Sequence, residues 1–339
     1  MTTTAPKLTA PDVSTPAGII RLGNAFCDAK ALLTAVELDL FGVLHQGPAS
    51  SEKIKDRLKL HGRGLSDFLQ LLVNLGLLVQ RDGRFSNSEG SDKYLVREVP
   101  TYIGGFLIRS NRNLYPAWGK LDQALRTGEK QSGGEFGALT KVPHLLKQFI
   151  GMMDALTTQL APELSAAIDW SPYRTLLDVG GCRGNLASQL VKAQPHLQGH
   201  VFDLPAMKPF FTEHMEAMGL SKSMYFHGGS FFTESLPRAD VVVLGHVLHD
   251  WAESQREFLV KQAFKAVNPG GVLLVYDRML GAANLVENLV ISLDMLLVTD
   301  GGSEYPAEEI HRHAAAAGFA SVRDEPLGDY DTLVICTKS

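Results

Sequence analysis

The segment Leu176-Leu177-Asp178-Val179-Gly180-Gly181-Cys182-Arg183-Gly184-Asn185 limits the fold more than any other part of the chain. An apolar run ending in an acid, then a glycine-rich turn, predicts a buried strand and the opening of a helix. A second apolar run, Gly199 to Phe202, ends in another acid, Asp203. Strand, helix, strand in that order implies parallel strands covered by helices. Glycines let the backbone lie close beneath a ligand, and a carboxylate at the next strand end can hold both ribose hydroxyls. The pair therefore reads as a nucleoside-binding arrangement. Its spacing, D-x-G-x-C-x-G, is not the G-x-G-x-x-G of nicotinamide sites, and Asp203 would repel a 2'-phosphate.

The alternation continues to the end of the chain. Apolar strands are predicted at Thr175–Asp178, Gly199–Phe202, Ser223–Phe226, Val241–Leu244 and Gly271–Tyr276, with helical stretches between them. Ala320–Glu325 and Thr332–Thr337 read as two further strands on a short loop, so the sheet is expected to close in an antiparallel hairpin. The first half differs. Apolar residues recur at helical spacing from Ile19 to Leu44, Ser50 can cap a short helix, and Ser66 opens an apolar helix closed by Gly76. A small hairpin follows around Asp82-Gly83, and helix, helix, hairpin is the order of a winged helix. Later helices are broken by Pro100, Pro116 and the glycine-rich stretch Gly128 to Gly137, and a helix from Val142 to about Ile168 leads into the second half. The organisation read from this pattern is a loose tail over 1–15, a helical winged-helix domain over 16–165 and an α/β domain over 166–339.

Composition narrows the partners. With 339 residues and a net charge of -5, the chain is long enough for about two domains and too acidic to favour nucleic acid. The basic run Lys53, Lys55, Arg57, Lys59, Arg63 reads as a solvated helix face, because the apolar helix after it leaves few polar side chains to read bases. Three scattered cysteines suggest neither a disulfide framework nor a zinc site. No apolar run approaches ~18 residues, and the start lacks the charged and apolar regions of a secretory leader, so a cytoplasmic protein without a membrane span is expected.

The second strong signal is Asp240-Val241-Val242-Val243-Leu244-Gly245-His246-Val247-Leu248-His249-Asp250-Trp251. A buried strand delivers two histidines and an acid to the edge where Asp178, Gly180, Asp203 and Ser230 should converge. Histidine is the side chain best poised to accept a proton near neutral pH. Asp277, at the end of the next strand, and Glu304, after Gly301-Gly302-Ser303, are acids able to fix its tautomer. A metal held by His246, His249 and Asp250 is the competing reading, disfavoured because they follow a strand and no further ligand cluster is evident.

Together these motifs resemble the class I S-adenosylmethionine-dependent O-methyltransferases of the plant caffeate and acetylserotonin type, a family with a bacterial natural-product branch. The resemblance runs from about Leu22 to Thr337 and rests on Leu-Asp-Val-Gly-Gly (177–181), Phe-Asp-Leu-Pro (202–205), Gly-Gly-Ser-Phe-Phe (228–232), Val-Leu-His-Asp-Trp (247–251) and Gly-Gly-Ser-Glu (301–304). It implies a winged-helix dimerisation domain, hence a homodimer, before a Rossmann-like methyltransferase domain. It implies His249 as general base, flanked by Asp277 and Glu304. It implies S-adenosylmethionine as cofactor, with Gly180 under the methionine moiety, Thr157 near its carboxylate, Asp203 at the ribose, Ser230 and Phe231 at adenine, and Asp178 and Leu204 among the residues that bind it. Met153, Phe149 and Asp250 are implied to line the pocket of a small, phenolic acceptor.

Four positions depart from the family pattern. Cys182 replaces the middle glycine of the turn and reads as a small residue filling it rather than a reactive thiol. Ser230 stands where an aspartate usually meets adenine, Gly245 where plant members carry lysine, and Asp277 where a longer glutamate is usual. Alternatives stay open at this point: methylation of carbon or nitrogen, a cofactor-bound relative that hydroxylates or decarboxylates, and a winged-helix regulator that senses a nucleoside.

Overall fold

The structure, a computed structural model, describes residues 12–99, 101–132, 142–281 and 285–339. Pro100, the second half of the glycine-rich stretch and most of the N-terminal tail lie outside the described residues. The chain divides into two compact units, 1–112 and 113–339. The sequence pattern placed this division near Ser165. The long helix Pro143–Ala167 instead belongs to the second unit, because its Leu160, Ala161 and Leu164 join the core on one face of the large sheet.

In the first unit the apolar stretch from Ile19 to Leu44 falls on three helices: Pro16–Gly23, Ala25–Glu37 and Leu40–His45. The break before the third lies at Asp39, whose φ of 59° is left-handed and cannot continue a helix. Ser50 caps Ser51–Leu58 by accepting from the Lys53 amide at 3.3 Å. The next helix, Leu65–Asn74, starts after Gly64 at φ 78°, so Ser66 lies within its first turn rather than opening it. Strands β1 (Leu78–Arg81) and β2 (Arg84–Asn87) form the small antiparallel hairpin turned by Asp82-Gly83, giving a winged-helix-like unit.

The second unit carries seven strands: β3 (Thr175–Val179), β4 (Gln198–Asp203), β5 (Met224–Gly228), β6 (Ala239–Gly245), β7 (Val267–Asp277), β8 (Ser321–Leu327) and β9 (Asp331–Thr337). Their order is β5-β4-β3-β6-β7-β9-β8, parallel from β5 to β7 and antiparallel through β9 and β8. Side chains alternate between faces along each strand. Leu176, Val241, Val243 and Leu274 enter one core, and Leu177, Val179, Val242, Leu244 and Leu273 the other. Both faces are thus apolar, as a Rossmann-like sheet covered by helices requires. Successive connections leave β3 in opposite directions, to β4 on one side and eventually β6 on the other, which opens a crevice at the carboxyl ends of these strands.

Candidate active site

The crevice begins at the glycine turn after β3. The Gly180 amide donates to the Phe202 carbonyl at 2.8 Å, tying the turn to β4, and Gly180 is left-handed at φ 74°. A Cβ on Gly181 would lie 2.5 Å from the Asp178 carboxyl, so the acid folds directly beneath the turn and only glycine fits over it. Cys182 takes the left-handed conformation, φ 56°, that glycine would adopt without cost. Its thiol is buried, and burial followed by the nearby Asp203 pushes its pKa well up, which opposes the thiolate a reactive cysteine needs.

Two buried acids stand at this edge. Asp203 accepts from the Cys182 amide at 2.7 Å and the Leu204 amide at 2.6 Å. Burial raises it to about 6 against those two donors. Asp178 is raised to about 7, by burial first and by the charge of Asp203 second. Its Oδ2 is buried and has no hydrogen-bond partner. A cavity opens beside it, lined by Asp178, Gly180, Gly181, Cys182, Gly245 and Tyr276 on the sheet side and by Met153, Asp154 and Thr157 from the long helix. Thr157 donates its hydroxyl to the Met153 carbonyl at 2.8 Å and accepts from the Asn185 amide at 2.8 Å. Asp154 meets Arg183 of the turn at 2.5 Å.

An orphaned buried carboxylate, glycines that admit a close ligand and an acid at the next strand end fit an aminoacyl nucleoside with a positive charge. Farther along the edge, Phe231 packs edge-on against Phe232 and Trp251, with centroids at 4.9 and 5.8 Å. Ser230 donates its amide to Glu234 at 2.5 Å and accepts at its hydroxyl from the Phe232 amide at 3.3 Å. Phe149 packs on a small cluster containing Leu146, Ile150, Cys182 and Met207.

The second cluster follows β6. A short 3-10 turn, Leu248–Asp250, aims the buried His249 at the ends of β7 and of the loop before helix Ala307–Ala317. Its Nδ1 lies 2.7 Å from Glu304 Oε1 and 3.5 Å from Asp277 Oδ1, and its Nε2 lies 3.8 Å from Asp250 Oδ1. A Cβ on Gly302 would come within 2.4 Å of the His249 carbonyl oxygen, so glycine there is what lets the Glu304 loop close on the histidine. Burial works against a charged imidazole. The charges of Asp277, Glu304 and Asp250 outweigh it and hold His249 up at about 10.

Several residues escaped the sequence reading. Tyr276 fills the space beside Gly245, where a Cβ would sit 2.1 Å from its ring, so glycine at 245 follows from tyrosine at 276. Tyr305 donates its hydroxyl to Asp277. Asp331 takes the other histidine, accepting from His246 Nε2 at 3.0 Å. Each partner is distant in sequence, and no local spacing announces it. The predicted residues do gather at one sheet edge: Met153, Thr157, Asp178 and Gly180 around the cavity, His249, Asp277 and Glu304 in a separate buried cluster.

Known proteins resemble this chain in sequence and in fold. An O-methyltransferase domain model matches residues 118–320, and an O-methyltransferase dimerisation domain model matches residues 20–97. The chain is 43% identical to a tetracenomycin polyketide synthesis 8-O-methyl transferase, TcmO, of Streptomyces glaucescens, over 95% of this chain and 97% of that one. It is 38% identical to the N,N-dimethyltransferase OxyT of Streptomyces rimosus, over 94% and 96% of the two chains. Human N-acetylserotonin methyltransferase, solved in complex with S-adenosylmethionine, superposes with a TM-score of 0.87 at 26% identity, over 97% of this chain and 99% of that one. Among the described residues no helix is long and apolar enough to cross a membrane. With its crevice, its acids and its two matched domains, this chain belongs to the S-adenosylmethionine-dependent O-methyltransferase family.

Proposed function

We propose that this enzyme methylates a phenolic hydroxyl of a small secondary metabolite, with His249 as general base. The observation that carries this reading is the 2.7 Å contact of His249 Nδ1 with Glu304, with Asp277 beside it. When bound, S-adenosylmethionine supplies an electrophilic methyl group on a positively charged sulfur. Asp178 would hold its ammonium, Asp203 and Leu204 the ribose, Phe231 and Ser230 the adenine, with Gly180 giving room beneath. Thr157 would serve its carboxylate by turning its hydroxyl away from the Met153 carbonyl.

The rest falls to this chain's own side chains. With Nδ1–H donated to Glu304, the free Nε2 is the atom that can take a proton. A phenol has a pKa near ~10 and is mostly protonated at neutral pH, so a base that removes its proton as the oxygen attacks lowers the barrier. The carboxylates around His249 raise the affinity of its neutral imidazole for that proton. Met153, Phe149 and Asp250 would orient the acceptor. Positioning of the acceptor oxygen contributes as well as the base.

The TcmO relative and a relative named for 3-hydroxy-5-methyl-1-naphthoate, 30% identical over 93% of this chain, support an aromatic hydroxyl. The OxyT relative favours a second reading, nitrogen as acceptor. Incubation with labelled cofactor and a panel of phenols, carboxylic acids and amines, followed by product masses, decides between them. Labelling of amines alone overturns the phenol reading.

We further propose a homodimer through the first unit. Helix Pro16–Gly23 has no buried residue, and Ile19, Ile20, Leu22 and Phe26 are each more than half exposed, an apolar surface suited to a second copy. Three free cysteines support a reducing compartment, the cytoplasm.

A further inference from the structure

We infer that Tyr305 is a positioning residue, whose hydroxyl, donated to Asp277, fixes the charge on that acid and through it the proton affinity of His249. The inference rests on the reading of His249 as the base.

Asp277 and Glu304 are two buried carboxylates on either side of one imidazole nitrogen. That nitrogen has one hydrogen to give. At 2.7 Å it goes to Glu304, and Asp277 Oδ1, at 3.5 Å, receives no hydrogen bond. Two neighbouring carboxylates in an apolar surround do not both ionise without donors. The one side-chain donor to Asp277 among the described residues is Tyr305, which is 2% exposed and reaches Oδ2. Tyr305 is itself held from behind. The Arg256 guanidinium lies over its ring, 4.7 Å from the centroid, and is fixed by Glu309 at 2.6 and 3.2 Å.

The charged groups around this point are His249, Glu304, His246 and Asp250 on the histidine side and Arg256 behind the tyrosine. Burial raises Asp277 and the cation at His249 opposes that rise, so the loss of a donor moves the acid further towards its neutral form. A neutral Asp277 no longer stabilises an imidazolium. Removing the phenol therefore lowers the proton affinity of His249, although the two side chains are not bonded to each other. A tyrosine kept only for packing would leave that affinity alone.

The test is Tyr305→Phe. The His249 imidazole is titrated by nitrogen NMR in cofactor-free protein, and kcat/KM is followed against pH. The expected result is a downward shift of the imidazole midpoint by about one unit, the scale of a hydrogen bond to a charged group, with the acid limb of the rate profile moving the same way. In an Asp277→Asn background the same substitution should add no shift. An unmoved midpoint, or a shift that persists without the Asp277 charge, overturns the inference. If the single variant fails to fold, the double variant, which has no carboxylate at 277 left without its donor, must fold, and failure of both also overturns it. Unchanged turnover in His249→Ala would instead reject the base, while the NMR midpoint would still report on Tyr305.

Discussion

His246 and His249 are stacked, with ring centroids 5.8 Å apart and planes 13° from parallel, yet each answers to a different acid. His246 Nε2 meets Asp331 at 3.0 Å, and Arg278 approaches the same carboxylate at 3.5 Å. His249 Nδ1 meets Glu304. Of these two rings, His249 alone has a second carboxylate, Asp277, beside the nitrogen that meets its first, at 3.5 Å. The two rings can be separated by mutation. His249→Ala should reduce turnover by roughly 10²–10⁴-fold, the worth of a general base, with cofactor binding retained in calorimetry. His246→Ala should cost less than about tenfold. Comparable losses from both would mean that the stack, not one base, is the working unit.

Glu304→Gln tests the electrostatics of the base. The imidazolium is favoured by the carboxylates around it, so removing one lowers the pKa of His249. The base works in its neutral form, and activity rises as pH climbs through that pKa. The acid limb of kcat/KM in the variant should therefore move to lower pH, while kcat falls because Nδ1 is held less firmly. A limb displaced to higher pH would contradict the assignment of charge in this cluster.

The fold was legible in the sequence because its signals were local. The central strands of the large sheet were apolar runs, and the glycine turn after β3 carried its own acid. Asp203 and His249 were readable for the same reason, since each ends a strand or follows one closely. What was not legible depended on contacts across the chain. The three-way division of residues 16–45 turned on two breaks, at Asn24 and at the left-handed Asp39, within one stretch of helical apolar spacing. The domain division could not be placed because the helix Pro143–Ala167 has the same apolar spacing whichever unit it packs on. Tyr276, Tyr305 and Asp331 looked like ordinary strand and loop residues, and their roles exist only where β7, β9 and the Glu304 loop meet.

Gly245→Ala should be poorly tolerated. Its Cβ would fall 2.1 Å from the buried Tyr276 ring, which must shift to admit it. Overpacking of this kind costs about 1–3 kcal/mol. The paired change Gly245→Ala with Tyr276→Leu should recover much of that loss in thermal denaturation. Equal instability of single and paired variants would show that the ring is not what glycine accommodates.

The exposed helix of the first unit predicts a mass. Substituting Ile20 and Phe26, 62% and 56% exposed, with aspartate removes apolar surface without touching the core of the unit. The protein should move from dimer to monomer in sedimentation while its circular dichroism is kept. A native chain that already sediments as a monomer would reject the homodimer.

Asp178→Asn should push stability and affinity in opposite directions. The folded pKa of Asp178, about 7, lies above its ordinary value of 3.8, so the unfolded chain ionises more readily than the folded one. Stability is therefore lost as pH rises from about 4 towards 7, and the full penalty applies above 7. The amide removes this penalty along with the repulsion from Asp203. At pH 8 the cofactor-free variant should melt a few degrees higher than the native protein, a shift of the size one or two kcal/mol gives. At pH 4, where the folded carboxyl is protonated and the unfolded one only about half ionised, the difference should shrink to a small part of its value at pH 8. If Asp178 holds the cofactor's ammonium, the same variant must bind S-adenosylmethionine more weakly, because a buried charge that destabilises the empty site is the one a cation repays. A variant less stable at pH 8 and unchanged in affinity would place the useful charge elsewhere.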